Sequence, residues 1–459
     1  MQKKIKTLIS SFLAISLIFI VSGCGCKQKV ETYKVSLEVW GVVDDSDAYS
    51  EIFNNYKKIN PNIKDIIYKK QRIETYQADL IDAMASGHGP DIFMIHNDWL
   101  GSFKDKVVPV SEDILTEQRY RQNFVDVCVD DFITKDGIFA VPLTVNTLGL
   151  YYNKDLFNIA GITMPPKTWE EFAADAVAMT KINEVGEIVQ SGAAMGTAYN
   201  INRSTDILNM LMFQHGLPTK DSQGRESLSA GSGAVKALDY YTKFANGNSS
   251  SYTWNPTLHY SIDAFSEGTL AMMFNYSWQV DILKSKSPKL NFDIVAVPQV
   301  SDETKSNFAN YWAFSVAKNK FVDSSVATRV APVSNDIRIK EAWKFLSYMT
   351  TKNVPSEAST ANAGGLGNTI DLKFDPAENY LEKTRQPAAR RDLIEKQKTD
   401  PDLGFFAEGT LVARDRSLTN PLLMETIFAE MIDSVNKGSA DVSRALSDAT
   451  TKLNDAAKQ

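Results

Sequence analysis

The chain has 459 residues, which at about 100–200 residues per domain predicts two or three compact domains. Its composition is 43% hydrophobic and 23% charged, with 24 Gly and 16 Pro; this excludes a disordered chain, a collagen and a coiled coil, and is typical of a globular protein. The formal net charge of −7 leaves no basic surplus to neutralise a phosphate backbone, so we expect no nucleic-acid partner.

The N-terminus has the pattern of a bacterial export signal. Three lysines within the first six residues precede an apolar run over residues 8–21 that is shorter than the roughly 20 residues of a membrane-spanning helix. The sequence VSGC at 21–24 resembles a lipobox, which implies a lipoprotein signal over 1–23, lipidation of Cys24 and a tether over 24–33. The alternative is ordinary cleavage that leaves Cys24 exposed. We expect a protein anchored by lipid outside the cytoplasmic membrane, in a periplasm or on the outer face of a Gram-positive membrane.

The cysteines and histidines predict neither a disulfide framework nor a metal centre. Besides Cys24, the chain has only Cys26 in the tether and Cys128 in an apolar stretch, and no pair has Cys-x-x-Cys spacing. The four histidines do not show the close spacing of a His-based metal site. We therefore expect no metal and no cofactor.

The predicted elements begin with a strand, a helix and a second strand. Residues 34–40 alternate between apolar and polar, which predicts a strand. Apolar residues at helical spacing from Ile73 predict a helix that ends before Gly87, and a second strand follows over 92–96. This order is typical of an α/β protein.

The rest of the chain continues the alternation and finishes in helices. Thr168 and Glu171 have the spacing of a capping box, which opens a helix running toward Ile182. Short apolar runs predict further strands at 270–274, 292–297 and 312–316. Amphipathic spacing predicts further helices at 339–349, 421–438 and 442–453. No repeat and no low-complexity linker divides the chain, so two domains would require several chain crossings.

Aromatic and polar side chains stand together at the ends of the predicted strands. Ligands of open α/β sheets bind beyond the carboxyl ends of strands. Aromatic rings stack on the C–H face of a sugar, while carboxylates and amides bond its hydroxyls. The pattern predicts a carbohydrate site containing Trp40, Asp44, Asp45, His96, Asn97, Asp98, Tyr276, Trp278, Tyr311 and Trp312. A segment with Tyr199, Asn200 and Arg203 has similar composition, but an ordinary loop explains it equally well.

Six segments carry a family resemblance over nearly the whole exported chain. The most specific are GPDIF, after a helix closed by Gly87, and the block from YYNKDLF to TWEEF; the six lie at 40–47, 85–99, 139–172, 265–278, 310–319 and 341–351. In this order they resemble the extracellular solute-binding proteins of ABC importers, in the subfamily that includes maltose- and multiple-sugar-binding proteins.

The resemblance implies a fold, a function and two more site residues. It implies a two-lobed, type II periplasmic-binding-protein fold with a hinge and a helical C-terminal tail; the N-lobe is 34–145 and 300–350, and the C-lobe is 146–298 and 352–459. A carbohydrate, in the first place an oligosaccharide, would bind between the lobes and pass to the permease subunits of the importer. The family pattern adds Asn146, at the first crossing, and Arg390, from the loosely aligned segment 366–418. We expect a monomer.

Two other function classes stay open. Asp44 or Asp45 with Glu267 or Asp98 would be the paired carboxylates of a glycoside hydrolase, although no nucleophile, nucleotide or metal motif adds support. A binding protein for a polyamine, a ferric ion or a peptide is the other class. Acidic residues would suit a cation, but the aromatic residues favour carbohydrate. Three arginines, at 203, 390 and 391, leave an anionic sugar open.

Overall fold

The computed structural model describes residues 33–218, 227–228, 232–320, 333–352, 374–416 and 421–456. The predicted signal over 1–23, the lipidation site Cys24 and the tether up to residue 32 lie outside these residues. Within the described ranges, no helix has both the length and the apolar character needed to cross a membrane.

Fifteen strands are found in the described part of the chain. They are β1 Val35–Gly41, β2 Ile63–Lys70, β3 Ile92–His96, β4 Ile133–Thr134, β5 Gly137–Ile138, β6 Val141–Pro142, β7 Asn146–Thr147, β8 Gly149–Asn153, β9 Lys181–Ile182, β10 Ile188–Ala193, β11 Leu270–Asn275, β12 Phe292–Val295, β13 Asn307–Asn310, β14 Trp312–Val316 and β15 Ala413–Arg414.

Seventeen α-helices connect or cover these strands in the same described part. They are α1 Asp47–Ile59, α2 Tyr76–Ala85, α3 Leu100–Phe103, α4 Glu117–Asn123, α5 Asp126–Phe132, α6 Lys154–Ala160, α7 Trp169–Met179, α8 Ser204–Gln214, α9 Ser232–Thr242, α10 Ser261–Ser266, α11 Gln279–Lys286, α12 Asn335–Thr350, α13 Pro376–Thr384, α14 Arg391–Gln397, α15 Gly404–Thr410, α16 Pro421–Asn436 and α17 Val442–Ala456.

The elements predicted from local patterns are confirmed. The predicted strands correspond to β1, β3, β11, β12 and β14, and the predicted helices to α2, α7, α12, α16 and α17. The capping box of α7 is present: Thr168 Oγ1 accepts from the Glu171 N–H at 3.2 Å, and Glu171 Oε2 accepts from the Thr168 N–H at 3.2 Å. This helix ends at Met179 instead of Ile182, because the next residues form β9 and pair with β10.

Two five-stranded sheets organise the chain into two bodies. The first sheet has the order β2-β1-β3-β14-β6, with β1, β2 and β3 parallel and β14 antiparallel to β3. The second has the order β12-β8-β11-β10-β9, with β10 and β11 parallel. Each sheet packs in its own cluster of buried apolar side chains. We call the parts around these sheets the first body and the second body.

A small third sheet joins the two bodies. Its order is β15-β13-β7, and the chain passes from one hydrophobic cluster to the other at these strands. Val145 packs in the first cluster and Leu148 in the second, while Phe308 packs in the second and Ala309 in the first. The bodies are therefore connected by several hydrogen-bonded crossings, as expected for a chain without a single linker.

The structure corrects part of the predicted lobe assignment. The sequence placed 352–459 in the second lobe, but α13 contacts α1 and α12, and its residues Ala377 and Tyr380 belong to the first hydrophobic cluster, as do Leu393 and Ile394 of α14. Residues 300–308 were placed in the first lobe, but Phe308 packs in the second cluster. The reason is burial of apolar faces, which no local pattern assigns to one sheet or the other.

A close contact between β10 and α7 yields a stability prediction. A Cβ added at Gly192 would stand 1.8 Å from the carbonyl oxygen of Ala176. We expect Gly192→Ala to lower the free energy of unfolding by about 2 kcal/mol, because the helix must move away from the strand. Urea denaturation measures the change. Gly247→Ala is the control, since nothing lies within 4 Å of its Cβ position, and we expect a change below about 0.5 kcal/mol. Equal changes in both variants would contradict the prediction.

Candidate functional site

A cleft of about 900 Å³ lies between the two bodies. The first body lines it with the residues that follow β3, and the second body with the segment that enters α8 and with Tyr260. The crossing segments contribute Asn310, Trp312 and Asp415, and α16 contributes Glu425. A ligand in this cleft would therefore touch both bodies and the segments that connect them.

Polar residues at the end of β3 form one wall of the cleft. His96 Nδ1 lies 2.5 Å from Asp98 Oδ1, and His96 Nε2 lies 3.3 Å from Asn310 Oδ1. Asn97 is held by Tyr311, the residue between β13 and β14, because its backbone N–H donates to the Tyr311 carbonyl at 3.0 Å and its Oδ1 accepts from the Tyr311 N–H at 3.1 Å. Burial would lower the pKa of His96, but the charge and hydrogen bond of Asp98 outweigh it and raise that pKa above the ordinary value.

Aromatic rings stand on both sides of the cleft. Trp312 pairs with His96 across β14 and β3, and its ring meets those of His96 and Trp99 edge-on at 5.0 and 5.1 Å between centroids. On the second body, Tyr199 is 66% exposed and Tyr260 is 41% exposed. Exposed ring faces of this kind are suited to stacking on a ligand that has apolar C–H groups.

The second body places an arginine at the start of α8. Arg203 has a left-handed backbone with φ +66°, a conformation that costs a residue other than glycine about 1–3 kcal/mol. Its guanidinium lies 5.3 Å from the ring centre of Tyr276 and 5.5 Å from that of Trp278, and these two rings stack on each other at 4.5 Å. The Tyr276 hydroxyl donates to Asp206 Oδ2 at 2.8 Å. Burial raises the pKa of Asp206, although the charge of Arg203 opposes the shift.

The third crossing places Asp415 in the same cleft. Burial raises the pKa of this carboxyl to about 7, and the charge of Asp98 adds to the shift. The backbone N–H of Arg416 and the side chain of Asn97 oppose the shift only in part. The next residue, Arg416, is fully buried and donates from Nε to Asn209 Oδ1 at 3.1 Å.

Eight of the twelve predicted site residues lie in or directly behind the cleft. His96, Asn97, Asp98 and Trp312 line it. Tyr276 and Trp278 support Arg203 from behind, and two more residues stabilise the crossings. These are Tyr311, whose hydroxyl donates to Asp131 Oδ2 at 2.6 Å, and Asn146, whose Oδ1 accepts from Ser277 Oγ at 2.6 Å.

The other four predicted residues do not line the cleft. Trp40 donates from Nε1 to Glu38 at 2.6 Å, and Asp45 pairs with Lys70 at 3.1 Å. Asp44 accepts from the hydroxyls of Tyr49 and Tyr380, the latter on α13, so α13 covers this end of β1. Arg390 is buried between Asp375 and Asp392. The prediction assumed that the end of β1 opens into the crevice, but these residues bond partners outside the cleft, and for Asp44 one of those partners is on α13.

Several cleft residues were missed by the sequence prediction. They are Tyr199, Arg203, Asp206, Tyr260, Asp415 and Glu425. A signal was present for Tyr199 and Arg203, which lie in the polar segment that an ordinary loop explained equally well. The other predicted member of that segment, Asn200, is structural, because its Nδ2 donates to the carbonyls of Asn255 and Leu258. Nothing local distinguishes Asp415.

The acidic, histidine and cysteine side chains of the described residues do not form a metal centre. No group of three or more His, Cys, Asp or Glu side chains in these ranges is arranged to hold an ion. Cys128 is buried there, and burial raises the pKa of its thiol well above the ordinary value.

Comparisons with known proteins agree on a family and a fold. The sequence profile of the family described as bacterial extracellular solute-binding protein matches residues 41–354. The multiple sugar-binding protein of Streptococcus mutans is 22% identical over 336 residues, which cover 69% of this chain and 71% of that protein. The maltotriose-binding protein of Pyrococcus abyssi is 22% identical over 330 residues, 71% of this chain and 64% of that protein.

A solved structure shows the same fold over most of the chain. The cyclic alpha-maltosyl-1,6-maltose binding protein from Arthrobacter globiformis superposes with a TM-score of 0.71 at 19% identity. The match covers 93% of this chain and 99% of that protein. The two-lobed α/β architecture expected from the sequence is thereby confirmed.

Proposed function

Since the chain belongs to the family of bacterial extracellular solute-binding proteins, we propose that it captures a carbohydrate, in particular an oligosaccharide, between its two bodies and delivers it to an ABC importer. The observation that carries this proposal is the cleft itself, where partly exposed rings and hydrogen-bonding side chains from both bodies face one another. The relatives named for sugar binding support the same ligand class.

The two bodies act as lobes in this proposal. Among the described residues, the first lobe comprises 34–145, 309–320, 333–350 and 376–397, and the second comprises 148–218, 227–228, 232–308 and the helices from α15 onward. A sugar that touches both lobes binds more tightly when they are closed, so it shifts the equilibrium toward the closed form that the permease receives. We assign the bending to the crossings at β7, β13 and β15, because their sheet joins the two lobes.

The cellular setting follows from the family and the N-terminal sequence. Proteins of this family work outside the cytoplasm. We propose that lipid on Cys24 holds the protein at the membrane, that the tether over 24–33 lets it reach the permease, and that it acts as a monomer. The lipobox pattern at 21–24 supports the anchor.

The carboxylate pairs suggested for a glycoside hydrolase do not come together in the cleft. Asp44 accepts from Tyr49 and Tyr380 outside the cleft, and Glu267 accepts from His259 at 2.8 Å on the surface. Only Asp98 of the four suggested carboxylates lines the cleft. We therefore propose binding without catalysis, and a polyamine, a ferric ion or a peptide serves as the competing ligand class.

A thermal-shift screen tests the proposed function. The full chain, kept in solution with a mild detergent, is heated with maltotriose, maltotetraose, mannotriose or tagatose, and with spermidine, ferric citrate and a tripeptide as controls. A sugar at about 100 times its Kd is expected to add about 2.7 kcal/mol of stability and to raise Tm by several degrees. Mass spectrometry should recover that sugar unchanged. A shift with a control alone, or breakdown of the sugar, would overturn the proposal.

A further inference from the structure

Two buried polar atoms in the cleft lack a hydrogen-bond partner. They are Nε of Arg203 and Oδ2 of Asp415, and neither has a partner among the residues that the structure describes. Within those residues neither side chain forms an ion pair shorter than 4 Å. Buried polar groups are nearly always satisfied, so each of these two requires an explanation. Both residues line the same cleft, which points to a ligand as the missing partner.

Arg203 is held in place by its surroundings. Its guanidinium lies against the rings of Tyr276 and Trp278, and its left-handed backbone is an uncommon conformation for arginine. The charge of nearby Asp206 balances it without an ion pair as short as 4 Å. The N–H donors of Arg203 are therefore oriented before a ligand arrives, and an added carboxylate is not needed for charge balance.

Asp415 belongs to a different part of the chain, the crossing that follows α15. The charged or titratable groups that face it lie on separate elements: His96 at the end of β3 and Asp98 just after it, Asp131 on α5, Arg416 beside it, and Tyr276 after β11. Arg203 and Asp206 at the start of α8 and Glu425 on α16 line the same cleft. The N–H groups that face Asp415 come from the Arg416 backbone and the Asn97 side chain. They leave Oδ2 free to accept from a ligand.

We propose that Arg203 and Asp415 are the specificity-determining pair of the cleft, and that the bound sugar accepts a hydrogen bond from Arg203 while it donates one to Asp415 Oδ2. This inference rests on the proposed function. A hydroxyl-bearing sugar meets the requirement, because each hydroxyl is both a donor and an acceptor. A ligand that lacks the acceptor for Arg203 or the donor for Asp415 leaves a buried polar atom unpaired, so it binds more weakly.

The pair also makes the affinity depend on pH. A sugar hydroxyl donates to the ionised carboxylate of Asp415, so the bound state favours loss of the proton. With a pKa of about 7 in the free protein, the ionised fraction falls from about nine-tenths at pH 8 to about one-tenth at pH 6. The affinity is therefore expected to fall about tenfold from pH 8 to pH 6. The positive charge of protonated His96 acts in the opposite direction, because it lowers the pKa of Asp415.

Calorimetric titration of the full chain tests the pair. The probe is maltotriose, or whichever of maltotetraose, mannotriose and tagatose stabilises the protein most. Arg203→Lys keeps the charge but loses the guanidinium fork, and Asp415→Asn keeps the shape but does not ionise. We expect each to weaken binding at pH 8 by tenfold or more, and Asp415→Asn to abolish the pH dependence. Arg121→Lys and Asp113→Asn are the controls, since both residues form exposed ion pairs outside the cleft.

The results of this experiment distinguish a failure of the Arg203–Asp415 pair from a failure of sugar binding itself. A wild-type affinity that is flat between pH 6 and pH 8, an unchanged pH profile in Asp415→Asn, or Arg203→Lys binding within twofold of wild type would overturn the pair while sugar binding stands. The wild-type profile needs no variant, so a variant that fails to fold does not block the test. If no sugar of the panel binds at either pH, the proposed function and this inference fail together.

Discussion

Replacement of Trp312 by alanine is expected to weaken sugar binding about 30- to 150-fold. Trp312 lines the cleft at the start of β14, directly after the crossing at β13. Its ring contacts those of His96 and Trp99 in the wall formed at the end of β3. Loss of a tryptophan that a bound ligand buries costs about 2–3 kcal/mol of binding free energy, which corresponds to this range. Calorimetric titration with the sugar found in the thermal screen measures the change, and Trp312→Phe should lie between wild type and Trp312→Ala.

Trp40 offers a matched control for this experiment. It is also a partly exposed tryptophan near the end of a strand of the first sheet, but it bonds Glu38 and does not line the cleft. We expect Trp40→Ala to bind the sugar within twofold of wild type. If Trp40→Ala lost binding and Trp312→Ala kept it, the cleft would be the wrong site and the sequence-based assignment of Trp40 would be restored.

Replacement of Arg390 by alanine is expected to lower the free energy of unfolding by about 3 kcal/mol and to leave sugar affinity unchanged. The side chain is 3% exposed, and it donates from Nη1 to Asp375 at 3.0 Å and from Nε to Asp392 at 2.6 Å. Asp375 also caps α13. Without the guanidinium, Asp375 and Asp392 would lose the buried cation that they share, and Asp392 would keep only the exposed Lys352 at 3.3 Å. Urea denaturation and calorimetric titration give the two quantities.

The pH dependence of this effect has a defined sign. Burial raises the pKa of Asp392, but the hydrogen bond and charge of Arg390 outweigh it and hold the pKa below the ordinary value. The stability from this interaction is therefore fully present above the pKa of a free aspartate, about 4, and is lost as the pH falls through the lower pKa of Asp392 in the folded protein. The difference between wild type and Arg390→Ala should shrink at low pH. A difference that grows as the pH falls would contradict the assignment.

The neighbouring Arg391 is the matched control for Arg390. It pairs with Asp126 at 2.6 Å, but its side chain is 35% exposed and that of Asp126 is 80% exposed. An exposed ion pair contributes at most about 1 kcal/mol, so we expect Arg391→Ala to change stability by less than that. Similar losses in the two variants would show that burial of the ion pair is not the cause.

Much of the fold was predictable because its signals are local. Three such signals depend only on residues close together in the chain, and all three were confirmed. They are the alternation over 34–40, the capping box at Thr168 and the apolar spacing of 442–453. The motifs shared with the family allowed the two-lobed fold to be predicted. The residues after β3 were found for the same reason, since the end of a buried strand can be located from its own pattern.

Only the tertiary structure decided which of those strand ends reach the ligand. Tyr380 of α13, which comes more than 300 residues later in the chain, bonds Asp44 after β1, while Trp40 bonds Glu38 and Asp45 pairs with Lys70, and none of the three lines the cleft. Arg203 and Asp415 were brought into it by the packing of α8 and by the third crossing. A local pattern shows which face of an element is apolar, but not which distant face covers it. That choice depends on the total burial of apolar surface and on hydrogen bonds between segments far apart in sequence.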